Sequence, residues 1–483
     1  MSQTTPTREV MAREELCGNT ALMPVMDKFT GEVIEQVPIS STAAVHCAVT
    51  LAQDAFAAYS KTPAHFRAEI LNKTADLVEK YREEFTELLC REVGKPWKYS
   101  SFEVSRTAET FRFSAEEAKR IHGETVPMDA SSFGEGRFGF YLRCPIGVVA
   151  AITPFNFPLN LVAHKVGPAL AAGNTIVLKP ASMTPLTAIR LSEALQEAGL
   201  PPGVLNVIAG PGSTVGDRLV SDSRVRKVSF TGNPETGETI IRRAGLKKVT
   251  MELGNNSGTI IEPDANLDET VPRCVVSAFS NSGQVCISLQ RLYVHRSIFN
   301  EFTGRFVEAT NKLKVGNPLD KDCDIGPMID EAEAIRAESW IREAVAQGAT
   351  VLAGGNRNGR TLYPTILTNV RPGMNVMCRE VFAPLVSICE YDFFEDAVRM
   401  VDDTPYGLQA GIFTNDLSKA FYAMDHIDVG GIMLNDTSTF RLDHMPYGGN
   451  KMSGIGREGV RFAVEEMTTI KMVVIKPARN TLG

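Results

Sequence analysis

Ile146-Gly-Val-Val-Ala-Ala-Ile152 is an apolar run of strand length, and the segments that follow it decide the fold class. A run without polar alternation is typical of a strand that is buried on both faces of a parallel sheet. Downstream of it, the sequence pattern predicts a helix over 159–172, a strand over 175–178, a helix over 184–198 and a strand over 204–208. Such alternation is typical of βαβ units. The sequence therefore predicts an α/β fold built on a parallel sheet.

The alternation of strands and helices continues downstream of this run. Further short strands are predicted at 227–230, 249–253, 259–261, 292–295, 350–353 and 386–391. Because 483 residues exceed what one core supports, two α/β domains are expected. Upstream, apolar residues at helical spacing predict one long amphipathic helix over 66–93. Near the carboxyl end, the β-rich run Met472-Val-Val-Ile475 is expected to pair with the sheet of a partner subunit.

Composition excludes several classes of function. With 43% hydrophobic and 22% charged residues and a net charge of −7, the chain predicts an ordinary soluble protein without a nucleic-acid surface. The polar start, Met1 to Glu9, lacks the apolar region of a signal peptide, and the apolar stretch Ile146 to Ala172 is too interrupted to span a membrane. Nine cysteines without a CxxC pair predict reduced thiols in a cytoplasmic protein, and no spacing predicts a metal site.

Cys286 is the first candidate for chemistry, in the segment Phe279-Ser-Asn-Ser-Gly-Gln-Val-Cys-Ile-Ser288. This small, polar segment is expected to open a helix whose N-terminal field favours a thiolate, and its backbone N–H groups could hold an oxyanion. Glu252 ends a predicted strand just before Gly254. A thiolate can attack an electrophilic carbon, and a carboxylate can activate the water that releases the bound group. The alternatives are a buried structural cysteine and a solvated glutamate at a strand end.

Other polar residues follow predicted strands at the edge where open α/β sheets bind ligands. Asn156, in the turn Thr153-Pro-Phe-Asn-Phe-Pro158, could donate to an oxyanion or simply satisfy the turn. Lys179 directly follows a strand. The segment Phe230-Thr-Gly-Asn-Pro-Glu-Thr-Gly237 suits the close approach of a pyrophosphate, although a plain turn is the alternative. Gly210-Pro-Gly-Ser-Thr-Val-Gly216 has one residue too many between its last two glycines for a dinucleotide fingerprint.

Taken in order along the chain, these segments resemble the aldehyde dehydrogenase superfamily. The resemblance rests on Thr153-Pro-Phe-Asn156, Leu178-Lys-Pro-Ala181, Phe230-Thr-Gly232, Met251-Glu-Leu-Gly254, Gly283-Gln-Val-Cys286, Glu380-Val-Phe-Ala-Pro384 and Pro446-Tyr-Gly-Gly449. It implies an α/β, aldehyde dehydrogenase-like fold with a Rossmann-like cofactor domain, an α/β catalytic domain and a small β-rich oligomerisation element. It also implies a homodimer or homotetramer.

The resemblance implies a role for each matching residue. Cys286 would form a thiohemiacetal, Asn156 and the Cys286 N–H would stabilise its oxyanion, and Glu252 would activate water to hydrolyse the later thioester. Relatives that transfer the acyl group to coenzyme A usually lack the carboxylate, so a free acid is the expected product. The implied cofactor is NAD or NADP, with NAD as the first choice. The implied cofactor contacts are Thr153, Phe155, Lys179, Ser182, Gly212, Phe230, Gly232, Asn233, Gly237, Leu253, Glu380 and Phe382.

Three positions depart from the family pattern. Ser182 stands where NAD-preferring relatives often carry a glutamate, so a 2′-phosphate would not be repelled and NADP becomes plausible. Asn233 replaces the small hydroxyl residue that is common after Gly232. Asn255 stands where a second glycine is usual, and the sequence alone offers no physical account of it.

The segment Ser438 to Gly448 resembles a branch of the family that acts on small polar or anionic aldehydes. Arg106 and Arg441 could supply planar donors to a carboxylate, phosphonate or sulfonate, or each could pair with an acid such as Glu103, Glu109 or Asp443. Some relatives with anionic substrates have histidine at position 157 and arginine at position 285, whereas this chain has Phe157 and Val285. A singly charged or hydroxylated small aldehyde is therefore favoured over a doubly charged phosphonate.

The resemblance also predicts domain limits. Residues 1–122 and 142–251, with a return segment at 445–460, are expected to form the cofactor domain, residues 252–444 the catalytic domain, and residues 123–141 and 461–483 the bridging element. A cysteine esterase or hydrolase is a remote alternative, since a thiol and a carboxylate can also cleave activated esters. A non-catalytic protein on the same fold is the other alternative.

Overall fold

The computed structural model describes residues 21–477, so the amino-terminal segment 1–9 and the ends of the predicted domains at 1–20 and 478–483 lie outside the described residues. Within the described residues the strands form two large sheets, one three-stranded sheet and three two-stranded ribbons. Among residues 21–477, no helix combines the length and the apolar character needed to cross a membrane. The predicted α/β class is confirmed.

The first large sheet has six strands, and the apolar run Val148–Ile152 lies at its centre. Val148–Ile152 is buried throughout and pairs in parallel with Thr175–Lys179 on one side and Val225–Thr231 on the other. The strand order is Gly454–Ile455, Lys248–Glu252, Val225–Thr231, Val148–Ile152, Thr175–Lys179 and Leu205–Val207. Because the winding direction reverses between Val148–Ile152 and Val225–Thr231, a crevice is expected beyond their carboxyl ends.

The second large sheet has seven strands and is built from the residues after Glu252. All neighbouring strands are parallel except the first pair, which is antiparallel. The strand order is Thr350–Ala353, Thr365–Thr368, Leu385–Tyr391, Arg291–His295, Gly258–Ile261, Gln409–Phe413 and Gly431–Leu434. The predicted second α/β series is therefore present.

The carboxyl-terminal strand Thr468–Ile475 pairs antiparallel with Phe138–Pro145 of the same chain, and Thr125–Val126 completes this third sheet. The expectation that this run pairs with a partner's sheet is wrong for the edge of the strand that faces Phe138–Pro145. Eight residue pairs within the chain already occupy that edge. Its other edge has no strand neighbour among the described residues. The three ribbons are Leu22–Met26 with Val33–Pro38, Arg357–Asn358 with Thr361–Leu362, and Tyr406–Gly407 with Asn450–Lys451.

Helices cover the faces of both large sheets. They are Thr42–Tyr59, Ala64–Lys80, Arg82–Val93, Trp97–Ala118, Asn160–Ala171, Leu186–Glu197, Asp217–Ser221, Pro234–Ala244, Leu267–Phe279, Phe299–Thr310, Glu331–Ala346, Asn375–Cys378, Phe394–Asp402, Leu417–His426 and Val460–Glu466. The predicted single helix over 66–93 is wrong. Tyr81 (φ −98°, ψ 23°) interrupts it, and the two helices that result both pack against Trp97–Ala118.

Candidate active site

The crevice at the switch point of the first sheet is lined by residues that end its strands. Thr153 follows Val148–Ile152, Lys179 and Thr231 end their strands, and Glu252 ends Lys248–Glu252. The hydroxyl oxygens of Thr153 and Thr231 are buried and have no hydrogen-bond partner among the described residues. Buried polar atoms are normally satisfied, so these two hydroxyls indicate a place where a polar ligand binds.

Cys286 lies in a loop rather than at the start of a helix. Helix Leu267–Phe279 ends before it, and the chain then passes through a turn in which Asn281 (φ 50°), Ser282 (φ 55°) and Gly283 (φ 68°) are left-handed. The prediction that this segment opens a helix is wrong because these three residues turn the chain away after a helix end. The field of a helix N-terminus therefore does not stabilise a thiolate here.

The sulfur of Cys286 is half-buried and has one close polar neighbour. Its Sγ lies 2.9 Å from the hydroxyl oxygen of Tyr447. Burial raises the pKa of the Cys286 thiol to about 11, while the hydrogen bond to Tyr447 and the charge of Arg441 act in the opposite direction. The charges of Glu380 and Glu252 raise the same pKa further.

Glu252 is buried, so the solvated strand end considered as an alternative is not what the structure has. Both of its carboxyl oxygens lack a hydrogen-bond partner within residues 21–477. Burial, and then the negative charge of Glu458, raises the pKa of Glu252 well above the usual carboxyl range. A carboxyl group whose pKa is raised is a stronger base than an ordinary carboxylate, which suits a general base.

Glu458 is the carboxylate that sequence reasoning did not single out. Lys165 Nζ donates to its Oε1 at 2.8 Å, and Arg441 Nη2 donates to its Oε2 at 3.2 Å. Although burial alone would raise the pKa of Glu458, the charges of Lys165 and Arg441 lower it overall. Glu458 therefore stays ionised beside Glu252, and the environment assigns different roles to two neighbouring carboxyl groups.

Asn156 lies directly against the loop that carries Cys286. Its Nδ2 donates to the carbonyl oxygen of Gln284 at 2.9 Å, and Asn281 Nδ2 donates to the carbonyl oxygen of Asn156 at 3.3 Å. A side-chain amide has two N–H groups, so one remains for a second acceptor after the bond to Gln284. The structure thus places an amide donor at the cysteine loop, as the sequence motif suggested.

Lys179 is buried at the end of its strand, and burial lowers the pKa of its ammonium group to about 8. Its Nζ donates to the carbonyl oxygen of Pro180 at 3.1 Å, and no salt bridge to it is found within residues 21–477. Ser182 donates to the carbonyl oxygen of Gly210 at 2.7 Å, so its hydroxyl oxygen can still accept. Gly212, exposed at the start of the neighbouring turn Gly212–Gly216, lies on the same side of the sheet. A buried cation without an acid beside it suits the hydroxyls or phosphate of a ribose.

The turn after Val225–Thr231 has the features that a phosphate-binding turn needs. Gly232 has no room for a side chain, because a Cβ there would lie 2.4 Å from the ring of Phe230. Asn233 caps helix Pro234–Ala244 by accepting from Thr236 N at 2.8 Å, as a serine or threonine would. Gly237, in the first turns of that helix, packs against Leu253. The departure at Asn233 therefore preserves the capped helix start that favours an anion.

Glu380 and Asn255 are joined across the crevice. Asn255 N donates to Glu380 Oε1 at 3.0 Å, and burial raises the pKa of Glu380 to about 7. Position 254 must be glycine because a Cβ there would lie 2.5 Å from Glu380 Oε2. Asn255 itself is buried with its amide donating to Ser257 Oγ at 2.5 Å, so its side chain has a place that a glycine would leave empty. This gives the physical account that the sequence did not.

Two aromatic residues face each other beside Glu380. The rings of Phe155 and Phe382 lie 5.8 Å apart, edge to face at 84°. Phe382 is held with a positive φ of 50°, a conformation that an aromatic residue adopts only when its surroundings impose it. The residues that fit a dinucleotide thus lie along one crevice: the ammonium of Lys179, the capped turn, and the carboxyl group of Glu380.

The two candidate substrate arginines have acidic partners and also free donors. Arg106 holds Asp443 with two bonds, from Nε at 3.0 Å and from Nη2 at 2.6 Å, so Asp443 is the acid it pairs with. Glu103 is instead bound to Lys95, whose ammonium also lies over the ring of Phe157 at 3.7 Å. Phe157 is thus half-buried with one ring face against a cation.

Arg441 is almost fully buried next to Tyr447. Its guanidinium carbon lies 3.5 Å from the centre of the Tyr447 ring, and its Nη2 approaches His164 Nε2 at 3.4 Å. Its Nε is buried and has no hydrogen-bond partner among the described residues. A buried guanidinium N–H without an acceptor is costly, which indicates that a bound anion completes this site.

Sequence reasoning missed Tyr447, Lys165 and Glu458 as members of the site. Tyr447 stands inside the quoted motif Pro446-Tyr-Gly-Gly449, so the motif gave a signal that was not used. A lysine within the apolar helical run 159–172 is also unusual, and its burial could have been suspected. Glu458 carries no local signal, because its contact with Lys165 joins residues 293 positions apart.

Comparison with known proteins agrees with this geometry. The aldehyde dehydrogenase family model matches residues 17–473. The chain is 49% identical to a 3-sulfolactaldehyde dehydrogenase of Priestia aryabhattai over 94% of each chain. It is 42% identical to the structure of aldehyde dehydrogenase 21 from Physcomitrella patens in complex with the reaction product succinate, with a TM-score of 0.93 over 96% of this chain and 97% of that one.

A glyceraldehyde-3-phosphate dehydrogenase from Methanocaldococcus jannaschii, complexed with NADP, superposes with a TM-score of 0.91 at 38% identity, covering 95% of this chain and 100% of that chain. The family match spans nearly the whole chain. The chain belongs to the aldehyde dehydrogenase family and is an NAD- or NADP-dependent aldehyde dehydrogenase.

Proposed function

We propose that the chain oxidises a small, singly charged aldehyde to its carboxylic acid, with Cys286 as the nucleophile and Glu252 as the general base. The observation that carries the proposal is the buried group around the sulfur. It combines Glu252, whose oxygens have no partner among the described residues, with the buried Arg441, whose Nε has none either. One group can activate water, and the other can bind an anion.

The residues divide the reaction between them. The Cys286 thiolate attacks the aldehyde carbon, and the resulting oxyanion of the thiohemiacetal accepts from the free amide N–H of Asn156 and from the Cys286 backbone N–H. Nicotinamide, when bound, supplies the acceptor for the hydride. Glu252 then removes a proton from the water that hydrolyses the thioester. The ionised Glu458 beside it, bound to Lys165, disfavours a negative charge on Glu252 and so makes it the stronger base.

The charges around Arg441 favour a singly charged substrate. Arg106, Arg441 and Lys165 are cations, and Asp443 and Glu458 are the ionised acids paired with them, which leaves one positive charge in the group while Glu252 is in its neutral form. Burial lowers the pKa of His164, so this imidazole adds no charge near neutral pH. A carboxylate or sulfonate would neutralise the remaining charge.

A phosphonate-bearing aldehyde is the second candidate within the same class, whereas a sulfonate-bearing one belongs with the singly charged substrates proposed above. The relative from Priestia aryabhattai is named for a sulfonate-bearing aldehyde, and the relative from Physcomitrella patens was solved with the dicarboxylate succinate. Phe157 and Val285 stand where some relatives with anionic substrates have histidine and arginine, so a doubly charged phosphonate would lose two donors. Both arginines therefore serve as the proposed specificity residues, with Phe157 as an apolar wall.

The experiment measures reduced-nicotinamide absorbance with aldehydes of equal length that carry a carboxylate, a sulfonate, a phosphonate or no charge. We expect kcat/KM for the carboxylate or sulfonate to exceed that of the uncharged aldehyde by about 10-fold or more, as a charge-assisted hydrogen bond implies. Arg441→Met should remove most of this preference. Arg112→Met, on the same helix as Arg106 but paired with exposed acids, should leave it unchanged. Equal kcat/KM values across the panel would contradict the anionic substrate.

The role of Cys286 is tested separately. Cys286→Ser should keep cofactor binding and lose aldehyde oxidation, and undiminished turnover would refute the nucleophile. A cysteine esterase or hydrolase, the remote alternative, predicts cleavage of activated esters without nicotinamide and no aldehyde-dependent cofactor reduction. An esterase or hydrolase would also give no role to Lys179 and Glu380, the proposed cofactor contacts.

The domain division and the assembly belong to the same proposal. Of the described residues, 21–122 and 142–251 with 445–460 would form the cofactor domain, 252–444 the catalytic domain, and 123–141 with 461–477 the bridging element. Supporting this, Gly454–Ile455 returns to pair with Lys248–Glu252 in the first sheet. The exposed apolar side chains of Thr468–Ile475 suit contact with a second copy in a homodimer or homotetramer. Eight free cysteines among the described residues support a cytoplasmic enzyme.

A further inference from the structure

The hydroxyl of Tyr447 has one hydrogen-bond partner among residues 21–477, and that partner is the sulfur of Cys286 at 2.9 Å. Tyr447 is 3% exposed, so water does not offer an alternative partner. Its backbone is fixed from both sides, because Tyr447 N donates to Glu458 O at 3.0 Å and Glu458 N donates to Tyr447 O at 2.6 Å. The phenol is thus held against the sulfur by the fold itself.

The direction of this hydrogen bond depends on the charge of the sulfur. A neutral thiol can donate or accept, whereas a thiolate can only accept, so the phenol must be the donor once the sulfur is ionised. Hydrogen bonds to a charged acceptor are stronger than those between neutral groups. The contact therefore stabilises the thiolate more than the thiol.

Arg441 strengthens the phenol as a donor. Its guanidinium carbon lies 3.5 Å from the ring centre of Tyr447, within the range of a cation–π contact. A positive charge on the ring face draws electron density from the hydroxyl and makes its hydrogen more acidic. Arg441 contacts the ring of Tyr447, and the hydroxyl of Tyr447 contacts the sulfur, so Arg441 acts on Cys286 through Tyr447.

We propose that Tyr447 is a positioning and activating residue, which donates a hydrogen bond to the Cys286 sulfur and, polarised by Arg441, makes the thiolate available for attack. The phenol keeps its proton throughout, so the proton of the thiol passes to solvent water, to which Cys286 is partly exposed, and no atom is transferred through Tyr447. This role rests on Cys286 being the nucleophile of the proposed function. It replaces the helix field that the loop around Cys286 does not provide.

The test measures how fast iodoacetamide alkylates Cys286 between pH 7 and 9, with peptide mass spectrometry to distinguish it from the other eight cysteines. Loss of one charge-assisted hydrogen bond should raise the pKa of the thiol by about one to two units. Because a more basic thiolate is also more nucleophilic, Tyr447→Phe should react about three- to tenfold more slowly at each pH. Tyr293→Phe, which removes a buried hydroxyl that donates to Met400 O, is the matched control and should react like the native protein.

The sign of the change separates activation from packing. If Tyr447 only filled space, Tyr447→Phe would leave the rate unchanged or, by loosening the loop, increase it, and either result would overturn the proposal. Arg441→Met keeps the hydroxyl but removes the cation, and it should slow alkylation by a smaller factor in the same direction. An unchanged or faster rate in this variant would overturn the polarising role of Arg441.

The readout is independent of turnover and therefore of the proposed function. Alkylation is measured without aldehyde, and cofactor binding, followed by nicotinamide fluorescence, verifies that each variant is folded. If Cys286→Ser retained full dehydrogenase activity, the nucleophile assignment would fail while the measured hydrogen bond stood. If Cys286→Ser were inactive but Tyr447→Phe reacted normally, the nucleophile would stand and the activating role would fail.

Discussion

At the scale of single residues, the chemistry depends on neighbouring groups that shift ionisation in opposite directions. Glu252 and Glu458 are both buried, yet only Glu458 has cations bound to its oxygens. An unpaired buried carboxyl group is pushed toward its neutral form, whereas a paired one stays ionised. The proton acceptor can therefore be identified from the hydrogen bonds around each oxygen, without reference to the reaction.

Glu252→Gln should preserve the first burst of cofactor reduction and slow the steady rate that follows. The amide keeps the shape of the side chain but cannot accept a proton from water, so the thioester accumulates. Rapid-mixing absorbance at the reduced-nicotinamide band measures both phases. Equal loss of the burst and the steady rate would place Glu252 in an earlier step.

The same residue predicts a pH dependence. A general base acts in its ionised form, so the steady rate should fall as the pH decreases through the pKa of Glu252. Because burial and Glu458 raise this pKa, the fall should lie above the range of an ordinary glutamate. In Glu252→Gln this fall in the steady rate at low pH should disappear. If the fall remained, a group other than Glu252 would cause it.

Ser182 predicts the choice between the two cofactors. Lys179 has no carboxylate bound to it within the described chain, so a 2′-phosphate on the ribose meets no like charge. Ser182→Glu should raise KM for NADP by about 10-fold or more, through like-charge repulsion, and change KM for NAD little. Ser182→Gln has a similar size without the charge and is the control, measured by the same absorbance assay. If KM for NADP rose equally in both variants, the size of the side chain and not its charge would determine the choice of cofactor.

The sequence indicated individual site residues better than it indicated the groups that contact them. Cys286, Glu252, Asn156 and Lys179 stand in local segments whose composition is unusual, and the structure brings them to one crevice. Glu458 reaches that crevice from far along the chain, and its contact with Lys165 leaves no local pattern, whereas Tyr447 lies in a recognisable motif and Arg441 was a candidate from the sequence. The loop around Cys286 was mistaken for a helix start because small polar residues favour caps and left-handed turns alike.

At the scale of elements, buried strands were the best predicted features. Val148–Ile152 and Thr175–Lys179 are buried at every position, so an unbroken apolar run identified them directly. The break at Tyr81 was not visible, because the helices on either side continue the same apolar spacing against Trp97–Ala118. Periodicity reports which face is buried and not whether the backbone is continuous.

Helix Pro234–Ala244 offers a test of one element. Asn233→Ala removes the side-chain acceptor at its start and should destabilise that end of the helix by about 1 kcal/mol. Because the same N–H groups face the crevice, the dissociation constant for the cofactor should increase as well. Hydrogen exchange of residues 234–238 and cofactor titration measure the two effects. Asn233→Ser keeps a capping oxygen and should resemble the native chain in both, and a Ser variant as impaired as the Ala variant would contradict capping.

At the scale of the whole molecule, Thr468–Ile475 is the element that predicts assembly. Ile470, Met472 and Val474 lie on one face of the strand and are 61%, 44% and 47% exposed, although they are apolar. Such a stripe on a single copy indicates contact with another. The double variant Ile470→Lys with Val474→Lys should therefore shift the particle to a smaller mass in analytical ultracentrifugation.

The control for assembly is a pair of exposed apolar residues on a different element. Ile335 and Val345 are 47% and 44% exposed on helix Glu331–Ala346, and Ile335→Lys with Val345→Lys should leave the mass unchanged. A native chain that sediments as a monomer, or a strand variant that assembles normally, would contradict this contact.

Tyr447 and Glu458 come from a later part of the chain than Cys286, so they are translated long after the nucleophile. Proteins are synthesised from the amino end, and domains generally fold as they emerge from the ribosome. A nascent chain that already exposes Cys286 therefore still lacks its hydrogen-bond donor and the carboxylate that makes Glu252 basic. Full reactivity of the sulfur would thus begin only once residues 447 to 458 have been translated and have packed against it.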